Sequence, residues 1–120
     1  ICHEDSGDYS YEAGYDLGKK MLSMTNPPEA VFCANDLMAF GLMDVARSEL
    51  GIKIPDDLAV VGFDGIPMAS WPWYSLTTYH QPVDLLVNET VDVLLNAIRN
   101  PDLNVVTKLL EGELIVRNST

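Results

Sequence analysis

Apolar and polar positions along this chain follow two different periods, and the switches between them lay out its elements. From about Ser10 to Met24 the apolar and small residues Gly14, Leu17, Gly18 and Met21 recur at helical spacing, and Asn26-Pro27-Pro28 ends the helix so predicted. Ala30-Val31-Phe32-Cys33-Ala34 is a short apolar run of the kind that forms a strand buried on both faces of a parallel sheet. Met38, Gly41, Leu42, Val45 and Ala46 then share one face of a helix from Leu37 to Leu50, with Gly51 as its left-handed cap. Pro55-Asp56-Asp57 predicts a turn, and Leu58 to Phe63 predicts a second buried strand.

Beyond Asp64 the periodicity stops. Gly65 to Ser75 carries Trp71 and Trp73 with Pro67 and Pro72, which predicts a loop bearing large aromatic side chains. Leu76 to Tyr79 reads as a short strand, and Pro82 is suited to the first position of a long helix to about Arg99. That helix carries Val83, Leu86, Val87, Val91, Leu94, Leu95 and Ile98, an apolar surface wider than one sheet face would cover. Two more strand patterns, near Val105 to Leu110 and Glu113 to Arg117, complete an alternation of helix and strand that is the signature of an α/β fold with a parallel sheet.

Both buried strand patterns run straight into polar residues, Asn35-Asp36 after the first and Asp64 after the second. A strand, a helix and a second strand form a parallel crossover, so both carboxyl ends face one edge of the sheet, where open α/β sheets bind ligands. Asn35 offers an amide that donates and accepts, and Asp64 an ionised acceptor, a pair suited to a polyhydroxylated or otherwise polar small molecule. The same residue types also cap helices and start turns, and Asn35 or Asp36 is expected to cap the helix that follows.

Composition narrows the function classes. The chain has 120 residues, 48% of them hydrophobic, enough for a folded domain. It opens on Ile1 rather than methionine, with no strand before its first turn, and is expected to be a piece of something longer. Seven Lys and Arg against eighteen Asp and Glu leave a formal charge of −11, with the basic residues scattered, so this segment should repel nucleic acid. Cys33 in a strand pattern and Cys2 near the end do not read as a disulfide framework; with no signal peptide or membrane span in the sequence, a cytoplasmic setting and no membrane partner are expected.

Enzyme chemistry finds little support. His3 and His80 have no serine or cysteine in a nucleophile-elbow pattern to pair with, and Asp5 and Asp8 read as a solvated acidic turn. There is no phosphate-cradling glycine loop and no metal-ligand spacing, so neither a cofactor nor a metal is expected. Asn88-Glu89-Thr90 and Asn118-Ser119-Thr120 match the glycosylation triplet, a pattern frequent by chance.

Five stretches, in order and at suitable spacing, carry a resemblance to a known family. They are Gly7-Asp8-Tyr9 with Glu12-Ala13-Gly14-Tyr15; Ala30 to Gly41; Pro55 to Asp64; Leu76-Thr77-Thr78 with Gln81-Pro82; and Arg117-Asn118-Ser119-Thr120. Over essentially its whole length the chain resembles the effector-binding region of LacI/GalR-type transcription regulators, whose fold is that of the periplasmic sugar-binding proteins. The resemblance implies a parallel-sheet α/β lobe formed by residues 1–75 and 104–120, an inter-lobe crossover at 76–81, and a helix over 82–99 belonging to a second, mostly absent lobe. It implies ligand contacts at Tyr9, stacking on the effector ring, at Asn35, and at Asp64, gripping a hydroxyl or ring nitrogen. It places Phe40 and Trp71 at a homodimer interface, with core packing the alternative for Phe40. The family usually has a proline where Tyr74 stands, so a different loop path is expected there.

The function so implied is small-molecule sensing, with a sugar as effector, in a homodimeric regulator that touches operator DNA only through an N-terminal helix-turn-helix absent from this chain. A transport receptor of the same fold, handing its sugar to a transporter, is the rival reading.

Overall fold

The computed structural model describes residues 5–101 and 107–120; His3 and Cys2 lie outside them. Ser10 starts the first helix, α1 (Tyr11–Leu22): its backbone is extended and its hydroxyl accepts the Ala13 amide at 3.0 Å, satisfying one of the amides a helix start leaves open. The chain then alternates through β1 (Ala30–Phe32), α2 (Asp36–Ser48) and β2 (Ala59–Asp64). A 3₁₀ turn, Pro67–Ser70, interrupts the aromatic loop before β3 (Thr77–His80), α3 (Val83–Arg99) and β4 (Glu113–Ile115). The strands lie in the order β1-β2-β3-β4, and β1, β2 and β3 are parallel, with Phe32 opposite Val61 and Asp64 opposite His80. The architecture is mixed α/β with a predominantly parallel open sheet, as the alternation of periods predicts. Of the two final strand patterns the second forms as β4; in the first, residues 107–110 are not strand, and Val105 and Val106 lie outside the described residues.

Two glycines fix how the helices meet. A Cβ on Gly14 of α1 would stand 2.1 Å from the Met38 carbonyl oxygen of α2, and one on Gly41 of α2 would stand 2.1 Å from the Tyr11 carbonyl oxygen of α1. The helix backbones touch, and no other residue type fits at either point. α2 is thereby held between α1 on one side and the sheet on the other. Its buried Ala39, Leu42, Met43 and Ala46 form the core with Leu58 and Val60 from the β2 segment, Leu76, and Cys33. Burial and the nearby Asp36 charge push the Cys33 thiol up to about 12, leaving it an apolar packing group. Gly51, at φ +65, turns the chain after α2 so that the Ile52 amide returns to the Ala46 carbonyl at 2.9 Å.

The carboxyl-terminal residues are tied into the sheet. Ser119, fully buried, donates its hydroxyl to the Val60 carbonyl at 2.6 Å and accepts the Thr77 amide at 2.8 Å, so one side chain bridges β2 and β3. Arg117 donates to the Leu76 carbonyl at 2.6 Å.

The aromatic loop hangs on one carboxylate. Asp44 of α2 accepts the hydroxyls of Tyr11 at 2.9 Å and Tyr74 at 3.0 Å, and the indole N–H of Trp73 at 2.8 Å. The Arg47 guanidinium lies 5.3 Å from the Trp73 ring centroid and donates to its carbonyl. Tyr74, standing where the resemblance leads one to expect proline, stacks on Phe40 with centroids 4.1 Å apart. The ring and the hydroxyl thus anchor a path that proline would otherwise stiffen.

By its contacts the chain divides into two compact units, Ile1–His80 with Leu114–Thr120, and Gln81–Glu113. Within the second unit α3 has no buried residue: Val83, Val87, Val91, Leu94 and Ile98 are all exposed. A cavity of about 540 Å³ runs along it, lined by Leu86, Val93, Leu94 and Ala97 together with Leu109 and Leu110.

The helix contact predicts that Gly14→Ala and Gly41→Ala each destabilise the fold by at least ~1–3 kcal/mol, because backbone cannot give way as a side chain does. Gly51→Asn, where a Cβ meets nothing within 4 Å and the new residue tolerates left-handed backbone, should cost less than ~1 kcal/mol. Denaturant unfolding of the three variants checks the order. A second expectation concerns Tyr11 and Tyr74, whose phenols are pushed up to about 12, first by burial and then by Asp44. An unfolded tyrosine ionises near 10.0, so their contribution to stability is complete below that pH and is lost as pH rises through about 12. Ultraviolet titration should show these two ionising last, and Asp44→Asn should bring them down; indistinguishable titrations in the two proteins would contradict the assignment.

Candidate functional site

The parallel register brings the carboxyl ends of β1, β2 and β3 to one edge, with Asn35, Asp64 and His80 following or ending successive strands. Asn35 is the N-cap of α2, as its position after the strand predicts: its Oδ1 accepts the Met38 amide at 2.8 Å. Its Nδ2 has a second task, donating to the Tyr9 carbonyl at 2.8 Å. That bond holds Tyr9 in left-handed backbone, φ 67, while its ring stays 64% exposed. Asn35 therefore spends one donor and one acceptor on architecture, leaving one amide hydrogen and one lone pair for anything else.

Asp64 ends β2 at φ 115, and Gly65 follows at φ 72. Among the described residues, three non-glycines have positive φ: Tyr9, Asp64 and Ser75. Two of the three are residues singled out for ligand contact, and each such conformation costs roughly 1–3 kcal/mol that the surrounding structure must offset. Gly65 is obligatory for a further reason, since a Cβ there would stand 2.4 Å from His80 Nδ1. His80 packs its ring nitrogen 3.3 Å from the Gly65 carbonyl.

What offsets the strain after β2 is Asp36, fully buried at the first position of α2. Its Oδ1 accepts the Thr78 hydroxyl at 2.6 Å and its Oδ2 accepts the Ile66 amide at 2.9 Å, and the Gly65 amide favours the same charge. Burial pushes this carboxyl above the usual carboxylate range, and the same three donors oppose the shift. Sequence reasoning considered Asp36 only as a helix cap. The signal that would have found it is Gly62 in the middle of a strand, because a Cβ there would stand 2.3 Å from Asp36 Oδ1.

The other sequence-predicted residues lie elsewhere. Phe40 is 2% exposed and belongs to the core, so its ring offers no surface for an interface; the helical period that places it inside is the reason. Trp71 is 54% exposed. Asp5 pairs with Lys20 at 2.6 Å, and Asp8 accepts the Ser10 amide and hydroxyl at 3.1 and 2.5 Å, so the acidic turn works as local scaffolding. A cavity of about 580 Å³ opens beside Tyr9, walled by Leu17, Met21, Val31, Phe32 and Met38. Neither Asn35 nor Asp64 lines it, so it is a hollow distinct from the strand-end group and shares only Tyr9 with it.

Residues 2–120 match the family described as periplasmic binding protein-like domain. Among curated relatives the chain is 38% identical over 117 residues to the ribose operon repressor of Escherichia coli (strain K12), covering 98% of this chain and 35% of that protein. It is 36% identical over 114 residues to the HTH-type transcriptional repressor CytR of the same organism, covering 95% of this chain and 33% of that one. The chain thus spans about a third of the length of these relatives. Among solved structures it superposes on the transcriptional regulator CelR–cellobiose complex with a TM-score of 0.88 at 32% identity, covering 95% of this chain and 35% of that one. A LacI family transcriptional regulator from Enterococcus faecium with bound ribose gives 0.81 at 32% identity, covering 93% and 41%. The chain belongs to the periplasmic binding protein-like domain family, in the company of LacI-family transcription regulators.

Proposed function

We propose that this chain is the sugar-sensing part of a LacI-type transcription regulator, with the effector held at the carboxyl edge of the sheet by Tyr9, Asn35 and Asp64. What supports this reading is that the amino end of α2 holds both strained segments, Tyr9 through Asn35 and the turn after Asp64 through Asp36. An exposed ring, a carboxylate and an amide are the groups a sugar requires, since its ring has an apolar face and a rim of hydroxyls. Asn35 contributes its remaining amide hydrogen. The names of the relatives, repressors among them and one structure with bound ribose, favour a regulator over a transport receptor and over an enzyme.

In this reading residues 1–75 and 114–120 form one lobe, the boundary expected at 104 moving to Leu114, 76–81 cross between lobes, and α3 packs in the second lobe, which accounts for its exposed apolar surface. Operator DNA is contacted by a helix-turn-helix outside this chain, since the segment itself, at −11, has no electrostatic footprint for phosphates. The protein works as a cytoplasmic homodimer, with Trp71 on the interface and Phe40 shaping it from beneath through its stack on Tyr74. Effector binding favours one arrangement of the lobes and so changes operator affinity.

Calorimetry of the full-length protein against ribose, cellobiose and sucrose tests the reading. One of them, or a close relative, should bind; Asp64→Ala should then weaken binding by ~1–3 kcal/mol with little loss of stability, as a charge-assisted hydrogen bond is removed without a core cavity. Tyr9→Phe should bind as the parent does, and Tyr9→Ala should lose on the order of 1 kcal/mol, because the ring face carries the contact. Unchanged affinity in Asp64→Ala, or equal losses in Tyr9→Phe and Tyr9→Ala, would contradict these roles.

A further inference from the structure

The Asp36 carboxylate reaches in two directions from one point. Toward β2 it accepts the amide of Ile66 at 2.9 Å, the second residue after Asp64. Toward β3 it accepts the Thr78 hydroxyl at 2.6 Å, two residues before the strand ends at His80 and the chain passes into the second unit at Gln81. Gly62 clears the room for it, and no buried side-chain polar atom among the described residues is left without a partner, so the arrangement is complete in itself. Two donors, one on each oxygen of a buried carboxylate, make a rigid joint, because charge-assisted bonds are shorter and stronger than neutral ones.

We propose that Asp36 is a positioning residue that couples the Asp64–Ile66 turn to β3, so that the backbone bearing the effector-contacting carboxylate and the strand leading to the second unit are set together. Asp36 touches no effector in this account; it acts through Asp64 on one side and through Thr78 on the other. The half of the claim that concerns ligand rests on the sugar-sensing reading, and the half that concerns coupling does not.

Asparagine is the informative replacement. Its carbonyl oxygen can accept the Ile66 amide while its NH₂ donates to the Thr78 hydroxyl, so Asp36→Asn keeps shape but replaces charge-assisted bonds with weaker neutral ones and loosens the joint. Hydrogen exchange of the full-length protein, followed by mass spectrometry, reads the result without any effector. Asp36→Asn should speed exchange at least tenfold in peptides covering residues 64–70 and 76–81, while peptides from α1 remain within about twofold of the parent. Thr78→Val, which cuts only the β3 arm, should speed exchange at Gly65 and Ile66 severalfold, and Thr78→Ser, which keeps the hydroxyl, should restore it.

A uniform rise in every peptide of Asp36→Asn would show a merely structural carboxylate, and unaltered exchange at Gly65 and Ile66 in Thr78→Val would show that the two arms are independent; either overturns the coupling. With whichever of ribose, cellobiose or sucrose the parent binds, Asp36→Asn should weaken affinity at least tenfold, and an unchanged affinity overturns the positioning role. If the parent binds none of them, the sugar reading fails, and the exchange pattern still decides the coupling.

Discussion

The amino end of α2 is the point on which the rest of this unit depends, because two adjacent side chains there hold both strained turns. Asn35 caps the helix and pins Tyr9; Asp36 sinks beneath the sheet edge and holds the turn after Asp64. Neither turn would keep its backbone unaided, since positive φ in a non-glycine residue costs roughly 1–3 kcal/mol. Burying a carboxylate is itself expensive unless it is hydrogen-bonded, and here the donors are the Thr78 hydroxyl and the Ile66 amide of the very turn being held. The strain and the buried charge offset one another only while both are present.

That arrangement requires α2 to sit within narrow limits above the sheet. The contact of Gly14 and Gly41 sets the helix from its outer side, and the apolar face from Ala39 to Ala46 sets it from the inner side. Asp44, on the far side of the same helix, gathers Tyr11, Trp73 and Tyr74 and so ties α1 and the aromatic loop to it. One helix therefore organises the sheet edge, the neighbouring helix and the loop, each through a different short stretch of its sequence.

The element order, the parallel pairing and the strand-end position of Asn35 and Asp64 were legible because they rest on hydrophobic period, which local sequence carries directly. The loop from Gly65 to Ser75 was legible only as irregular: its 3₁₀ turn buries Ala69 and its path depends on Tyr74 meeting Phe40 and Asp44, residues thirty or more positions away. Residues 107–110 carry a strand-like pattern yet do not pair, as a short apolar run needs a partner strand before it becomes one. Phe40 obeyed its helical period and went inside. Asp36 was the main residue left unread as a buried group, since an acid at a helix start is ordinarily a surface cap; only the glycine facing it, Gly62, marks the close approach.

A crystal structure of the full-length protein with bound ribose or cellobiose would test the central claim most directly, that the amino end of α2 organises a sugar site without Asp36 entering it. The account predicts a sugar ring against Tyr9 and a hydroxyl roughly 3 Å from the Asp64 carboxylate, with the Asn35 cap kept and Asp36 still bonded to Thr78 and Ile66. A sugar seated away from the strand ends, or an Asp36 carboxylate turned outward to grip the sugar itself, would contradict it.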